Sequence, residues 1–198
     1  MLRDILRVPA GYRLFRELVG GDYAAYVSEF VKPKLGSKVL DIGCGPGDML
    51  QHMPNVDYLG IDISSEYIDA ARKRYGSTGR FECADVGTAS FGDEDGTFDL
   101  VLATGVVHHL DDHLAGRLFD LARVALRPSG RLITFDGCFV PGQSRLARWM
   151  LSKDRGQFVR TREEYIRLAS AHFSTVEPVV RHDLLRIPYT HLIMCCSN

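Results

Sequence analysis

The run Val39-Leu40-Asp41-Ile42-Gly43-Cys44-Gly45-Pro46-Gly47 decides the fold of this chain. Its first four residues are mostly apolar and predict a short buried strand, and the alternate glycines after them predict a tight turn. Glycine in such a turn lets the backbone approach a ligand because no Cβ atom stands in the way. A short helix predicted over 48–52 would direct its N-terminal amide groups toward the same ligand. The run therefore predicts a ligand site at the C-terminal end of a strand.

Short apolar runs alternate with helical patterns along most of the chain. Seven strands are predicted, at residues 38–42, 58–61, 79–83, 98–103, 131–135, 176–180 and 190–196. Ser64 and the pair Asp111-Asp112 predict helix starts, and Thr161 with Glu164 forms a capping-box pattern. This order predicts an α/β fold: a single doubly wound, Rossmann-like, mostly parallel seven-stranded sheet, with the last strand antiparallel and helices on both faces.

The length of 198 residues fits a single domain, 1–198. Two parts depart from the strand–helix rhythm. Residues 1–34 predict an N-terminal helical region, with an amphipathic pattern over 10–31. Residues 138–160 predict an insertion near the substrate cleft, with several basic and aromatic residues and the single acid Asp154. The insertion is either a lid that favours acidic or phosphorylated groups or a helix with a solvated basic face.

Composition and charge exclude several classes of protein. Hydrophobic residues make up 45% and charged residues 25%, which is ordinary for a globular domain. The formal net charge of -1 predicts no nucleic-acid partner, and no apolar run is long enough for stable membrane insertion. Five cysteines without a C-x-x-C pair, and no secretory signal, predict a cytoplasmic protein with reduced, buried thiols.

Each of the first three predicted strands has an acidic residue within two positions of its end. A dinucleotide fingerprint, G-x-G-x-x-G, would need glycine where Asp48 stands, so a nicotinamide oxidoreductase is the weaker alternative. Asp41 beside the turn suits an ammonium group and repels a pyrophosphate, and S-adenosylmethionine carries an amino-acid end without phosphate. Asp62 lies where a ribose diol is bound, and Asp85 could accept from an adenine amino group. The alternative role of Asp62 and Asp85 is to cap turns or helices.

These segments resemble a known family. The run 39–47, Gly60-Ile61-Asp62-Ile63-Ser64 and Ala84-Asp85-Val86 resemble the first three motifs of class I S-adenosylmethionine-dependent methyltransferases. Residues 98–112 resemble the fourth-strand segment of their ubiquinone-biosynthesis-like (type 11) branch, and residues 126–132 resemble the turn before their fifth strand. The resemblance covers about 35–135, and the C-terminal strands match in pattern only.

The resemblance implies S-adenosylmethionine as cofactor and S-adenosylhomocysteine as its product. In the family, the first motif holds the methionine end, the second the ribose and adenine face, and the third the adenine. The cofactor-binding residues that it implies are Tyr12, Asp41, Gly43, Cys44, Gly45, Gly47, Asp62, Ile63, Asp85, Val86, Thr104, Gly105 and His109. Tyr12 and Phe15 belong to an N-terminal helical lid over the cofactor, or else to ordinary packing.

The residues that would act on the acceptor follow the later strands. His108 and His109 follow the fourth strand and are candidate bases, although one of them could instead point inward as packing or a backbone anchor. Asp136 after the fifth strand could orient a histidine, bind substrate or simply be a turn carboxylate. The loop between the last two strands supplies the substrate-binding candidates Arg186, Tyr189 and His191, or is merely solvated. No metal site is predicted, because adjacent histidines point in different directions.

The sequence thus predicts methyl transfer by direct in-line displacement to a small molecule or to a small glycan- or lipid-linked acceptor. The alternative is a non-catalytic cofactor-binding or scaffold protein of the same fold. A nucleic-acid base methyltransferase is disfavoured because residues 104–107 lack the usual Asn/Asp-Pro-Pro-aromatic motif. A metal-dependent catechol-type enzyme would need clustered carboxylates there, whereas Asp111 and Asp112 are better explained as helix caps.

Overall fold

A computed structural model of the chain describes residues 23–154 and 156–198. The candidate lid residues Tyr12 and Phe15 lie outside this range. The described strands are β1 (Lys38–Ile42), β2 (Asp57–Asp62), β3 (Arg80–Cys83), β4 (Phe98–Thr104), β5 (Leu126–Phe139), β6 (Arg160–Thr161), β7 (Thr175–Arg181) and β8 (His191–Ser197). The described helices are α1 (Tyr23–Tyr26), α2 (Ser65–Tyr75), α3 (Asp112–Ala125), α4 (Arg145–Ser152) and α5 (Arg162–Ser170), and a π-helical turn, Val27–Val31, continues α1.

The strands form one mixed sheet in the order β3-β2-β1-β4-β5-β8-β7. Strands β1 to β5 pair in parallel, and β8 runs antiparallel to both β5 and β7. The predicted fold class is therefore confirmed. The short β6 adds an eighth strand, which pairs in parallel with the end of β5. Because the carboxyl ends of the parallel strands share one edge, the motifs that follow β1, β2, β3 and β4 converge there.

Strand β5 is longer than the sequence predicts. It begins at Leu126, opposite Phe98, and its pairing with β4 resumes only at Leu100 opposite Arg131. The residues between, which include Pro128 and Gly130, form an irregularity in the strand rather than the predicted turn. At its other end β5 continues to Phe139, beyond the predicted residue 135, and it therefore includes Asp136.

Helix starts follow the predicted caps with one exception. Ser64 caps α2, Asp111 caps α3, and Thr161 with Glu164 forms the predicted capping box of α5. The helix predicted over 48–52 is wrong, because the chain there makes turns and a short 3-10 turn, Leu50–His52. Only a few residues separate the glycine turn from the next turn, too few to offset the cost of helix nucleation.

Both faces of the sheet are buried, as a doubly wound fold requires. Alternate residues of the central strands belong to two different cores: Val39 faces one and Leu40 the other. Helices α3 and α5 cover the Leu40 face, and α1 and α2 cover the Val39 face. The continuous apolar character of β4 follows from this two-sided burial.

All five cysteines are free thiols. Cys44, Cys138 and Cys196 are buried, but Cys83 at the end of β3 is exposed, so the expectation of buried thiols is wrong at that position. Within residues 23–154 and 156–198, no helix combines the length and apolarity needed to cross a membrane.

Candidate active site

The three glycines of the turn after β1 do not all have the same surroundings. All three have positive φ, at +70° for Gly43, +54° for Gly45 and +77° for Gly47. A Cβ atom on Gly43 would lie 2.5 Å from Val106 Cγ2, and one on Gly47 would lie 2.9 Å from the ring of Phe81. A Cβ atom on Gly45 would meet nothing within 4 Å. Gly43 and Gly47 therefore allow tight packing, whereas Gly45 faces open space at the ligand edge.

A pocket opens beside this turn. It is lined by Tyr23, Asp41, Gly43, Cys44, Gly45, Asp48, Met49 and Thr104. Thr104 ends β4, so the pocket joins the first motif to the fourth-strand segment, as the sequence predicts for one ligand site. The Cys44 side chain packs toward β2, where a Cβ atom on Gly60 would lie 2.8 Å from Cys44 Sγ. Cys44 thus contributes its backbone to the pocket and its thiol to the packing below.

Asp41 presents an unusual carboxylate to this pocket. It is only 1% exposed, and the Tyr58 hydroxyl donates a 2.6 Å hydrogen bond to its Oδ2 atom. Its Oδ1 atom is buried and has no hydrogen-bond partner within residues 23–154 and 156–198. Burial raises the pKa of Asp41 to about 7, although the hydrogen bond from Tyr58 lowers it. A buried acceptor with an open position suits an ammonium group, which would supply both the missing donor and the missing charge.

Asp62 connects the end of β2 to the glycine turn. Its Oδ2 atom accepts a 2.9 Å hydrogen bond from the Gly45 amide, and its Oδ1 atom accepts one of 2.8 Å from the Ser64 amide. Burial raises the pKa of this carboxyl group. Each oxygen retains a second lone pair, so the predicted contact with a ribose diol remains chemically available. Ile63, the next residue, is 71% exposed and offers an apolar surface at the same edge.

Asp85 takes up the capping role that its sequence position also allowed. It is exposed, and its Oδ1 atom accepts a 2.8 Å hydrogen bond from the Gly87 amide. Its carbonyl oxygen accepts from the amides of Thr88 and Ala89. Val86 is half-buried against the core below α3. The adenine contact of Asp85 is still a prediction, and it would use the second carboxylate oxygen.

His108 lies between two carboxylates. Its Nδ1 atom is 2.7 Å from Asp136 Oδ1, which also accepts a hydrogen bond of 3.1 Å from the His108 amide. Its Nε2 atom is 3.4 Å from Asp154 Oδ1. Burial alone would lower the pKa of His108, but the hydrogen bonds to both carboxylates outweigh it and raise the pKa to about 9.

This geometry argues against the predicted role of His108 as a base. An imidazolium has no lone pair with which to take a proton, and both nitrogens already contact carboxylates. His109 is exposed at the same turn, with its ring centroid 4.2 Å from that of His108. Of the two candidate bases, the arrangement favours His109. Gly105, which precedes this turn, has φ +72° and donates its amide hydrogen to the Phe135 carbonyl oxygen at 2.7 Å.

Asp136 makes the contact with a histidine that one of its predicted roles requires. It is 2% exposed, and its Oδ1 atom holds His108 through the two contacts described above. Its Oδ2 atom is buried and has no hydrogen-bond partner among the described residues. That second oxygen leaves another predicted role, contact with an acceptor, open.

The three substrate-binding candidates occupy different places. Tyr189 donates its hydroxyl hydrogen to Asp154 Oδ2 at 2.5 Å. His191 is buried, its ring stacks on Phe135 with centroids 4.3 Å apart, and burial lowers its pKa to about 3. Arg186 is exposed in the loop before them. The structure therefore brings Tyr189 and His191 close to His108 and its carboxylate partners, and it leaves Arg186 at the surface.

Arg160 belongs to the insertion that the sequence predicts to be either a lid or a helix with a solvated basic face, and Asp154 has no predicted role of its own. Arg160 is buried and donates to Asp112 and to the carbonyl oxygens of Val107 and Leu110, so it holds the turn after β4. The signal that could have singled out Asp154 is its position as the lone acid in a basic insertion. Within the described part of the chain, no group of three or more His, Cys, Asp or Glu side chains could hold a metal ion.

Comparisons with known proteins agree with this site. Residues 39–130 match the family described as Methyltransferase domain. A phosphoethanolamine N-methyltransferase of Triticum aestivum is 32% identical over 140 residues, which are 67% of this chain and 26% of the relative. The O-methyltransferase cnsE of Penicillium expansum is 33% identical over 129 residues, 61% of this chain and 45% of the relative. The chain thus spans about a quarter to a half of the length of these relatives.

Solved structures show the same fold. Phosphoethanolamine N-methyltransferase 2 of Haemonchus contortus, in complex with phosphomonomethylethanolamine and S-adenosylhomocysteine, superposes with a TM-score of 0.73 at 22% identity. The superposition covers 92% of this chain and 46% of that one. The sheet order, the glycine turn with its acidic partner and the match of residues 39–130 to the Methyltransferase domain family all support a class I S-adenosylmethionine-dependent methyltransferase fold.

Proposed function

We propose that this protein transfers a methyl group from S-adenosylmethionine to a small polar acceptor. The observation that carries the proposal is the Oδ1 atom of Asp41, a buried carboxylate oxygen that has no hydrogen-bond partner in the described part of the chain. Asp41 lines the pocket beside the glycine turn. The ammonium group of the cofactor's amino-acid end supplies the charge and the donors that this oxygen lacks.

The rest of the cofactor follows the edge of the sheet. Asp62 would accept from the ribose hydroxyls while its other lone pairs hold the amides of Gly45 and Ser64. The exposed side chain of Ile63 would cover one face of the adenine, and Asp85 would accept from the adenine amino group. When bound, S-adenosylmethionine supplies an electrophilic methyl group on sulfur, so the chain's residues need only align the acceptor and exclude water.

The acceptor would lie beyond Thr104 and Gly105, at the ends of β4 and β5. The free Oδ2 atom of Asp136 would accept a hydrogen bond from an acceptor N–H or O–H group. His109, exposed at the same turn, would remove the proton released when the acceptor atom is methylated. The similarity to an enzyme named for phosphoethanolamine and to a named O-methyltransferase supports an acceptor that is small and carries an amine or a hydroxyl group.

Transfer of labelled methyl groups tests this proposal. The protein is incubated with methyl-labelled S-adenosylmethionine and an extract of small metabolites, and labelled products are separated by chromatography. We expect a labelled product with the wild type, and at least about a tenfold loss of its rate of formation with His109→Gln. His113→Gln, an exposed histidine on α3, is the matched control and should keep the rate. Cofactor binding without any labelled product would instead support a non-catalytic cofactor-binding protein.

A further inference from the structure

The turn after β4 contacts α4 and the residues that follow it (145–154 and 156–161), called here the α4 segment. Arg160 in this segment holds the turn, but no role has been assigned to Asp154. We propose that Asp154 in this segment is a positioning residue. It pairs with the imidazolium of His108 and thereby fixes the turn that carries His109 against the α4 segment. This ion pair is independent of methyl transfer, and only its effect on the acceptor rests on the proposed function.

Charge balance supports the pairing. Asp136 from β5 and Asp154 from the α4 segment lie on opposite sides of His108, at 2.7 Å and 3.4 Å from its two ring nitrogens. Side-chain exposure is 10% for His108, 2% for Asp136 and 22% for Asp154, so water screens the three groups little. A neutral imidazole there would leave two carboxylates close together without a counter-charge, which is costly away from water.

Among the described residues, Arg160 is another cation at this turn, but it donates to Asp112 and to the carbonyl oxygens of Val107 and Leu110. His109 is adjacent on the same turn, and His191 on β8 is neutral at physiological pH because burial lowers its pKa to about 3. Tyr189, from the loop before β8, donates to the Oδ2 atom of Asp154 and so stays on the carboxylate's far side. Asp154 therefore connects the α4 segment, the turn after β4 and the loop before β8.

Backbone contacts show that the segment is fitted to this turn. The Phe158 amide donates to the His108 carbonyl oxygen at 3.0 Å, and the Gly156 amide donates to Asp154 Oδ1 at 2.8 Å. A Cβ atom at position 156 would lie 2.0 Å from His108 Cδ2, so only glycine allows this approach. Among these contacts, the pair of His108 and Asp154 is the one that depends on charge.

The pH dependence of the pair follows from its two groups. The hydrogen bonds to both carboxylates, opposed by burial, hold the pKa of His108 at about 9, above its ordinary 6.5. The stabilising contribution of His108 is therefore complete below about 6.5 and is lost as the pH rises through about 9. The pKa of Asp154 is lowered by His108 and Tyr189, against burial that raises it, so its contribution is lost only under strongly acid conditions. The pair is intact at neutral pH.

Asp154→Asn tests the proposal because it removes the charge and keeps a side chain of the same shape. Trp149, the single tryptophan of the chain, lies on α4 at 58% exposure, and its fluorescence reports on the segment directly. We expect wild-type emission to change with a midpoint near pH 9, and the midpoint in Asp154→Asn to fall by at least 1 pH unit. Exchange of the Phe158 amide hydrogen should become at least about tenfold faster. Asp93→Asn, an exposed acid, is the control and should match the wild type.

Two measurements keep the proposal open to contradiction. Titration of His108 by nuclear magnetic resonance in the wild type needs no variant: a pKa well above 6.5 supports the pair, and a pKa at or below 6.5 overturns it, even if Asp154→Asn fails to fold. Asp154→Asn should bind S-adenosylhomocysteine as the wild type does, since Asp154 lies away from the cofactor pocket. A several-fold loss of that affinity would contradict the assignment to the acceptor side. Failure of the wild type itself to bind would reject the proposed function and leave the ion pair standing.

Discussion

The glycines of the turn after β1 differ in what they contact: some are tightly packed, and one faces the pocket. Gly43 and Gly47 are needed because neighbouring side chains occupy the space where a Cβ atom would stand, and Gly45 faces the pocket. Asp41 contributes a carboxylate that the fold buries without fully satisfying it. Such a group lowers stability unless a ligand completes its hydrogen bonds, which is why we propose that Asp41 belongs to a binding site.

Alanine substitutions at Gly45 and at Gly43 should differ in their effects on stability and on ligand binding. Gly45→Ala should cost about 1–2 kcal/mol of unfolding free energy, because its only penalty is the positive φ, and it should weaken S-adenosylhomocysteine binding severalfold. Gly43→Ala should cost about 2–4 kcal/mol, because its Cβ atom also collides with Val106. Denaturant titration gives the stabilities and calorimetry the affinities. Equal affinities for wild type and Gly45→Ala would show that this part of the turn does not face the cofactor.

At the scale of elements, sequence patterns predicted the strands and helix caps that depend on residues close together in the chain. The strand β1, the caps of α2 and α3 and the capping box of α5 follow from periodicity and capping residues within a few positions. The extension of β5 from 126 to 130 and the strand β6 depend on pairing with distant strands, so the sequence did not reveal them. The buried Arg160 was likewise unpredictable, because its partners lie about fifty residues earlier.

Arg160→Lys should loosen the turn after β4. The guanidinium donates to Asp112 and to the carbonyl oxygens of Val107 and Leu110, and a lysine ammonium cannot reach all of them with the same geometry. Each buried acceptor left without a donor costs about 1–3 kcal/mol, so we expect unfolding free energy to fall by about 2–4 kcal/mol in denaturant titration. Arg145→Lys, on the exposed side of α4, should change it little. Similar stabilities for both variants would show that Arg160 does not brace this turn.

At the scale of the whole molecule, the donor side was more predictable than the acceptor side. The motifs proposed to bind the donor occupy consecutive strand ends, so Asp41, Asp62 and Asp85 meet at one edge once the sheet is parallel. The proposed acceptor side combines β4, β5, the α4 segment and the loop before β8, which are far apart in sequence. Adjacent histidines could not be told apart by sequence, and only the structure shows that His108 lies between two carboxylates while His109 is exposed.

The central claim is that the pocket beside the glycine turn binds the methyl donor through Asp41. Isothermal titration calorimetry with S-adenosylhomocysteine tests it most directly, with Asp41→Asn as the variant and Asp57→Asn, an exposed acid at the start of β2, as the control. We expect micromolar binding by the wild type and the control, no binding of nicotinamide dinucleotides, and at least about a tenfold loss of affinity, about 1.4 kcal/mol, for Asp41→Asn. Equal affinities for Asp41→Asn and the wild type, or binding of a nicotinamide dinucleotide in place of S-adenosylhomocysteine, would contradict it.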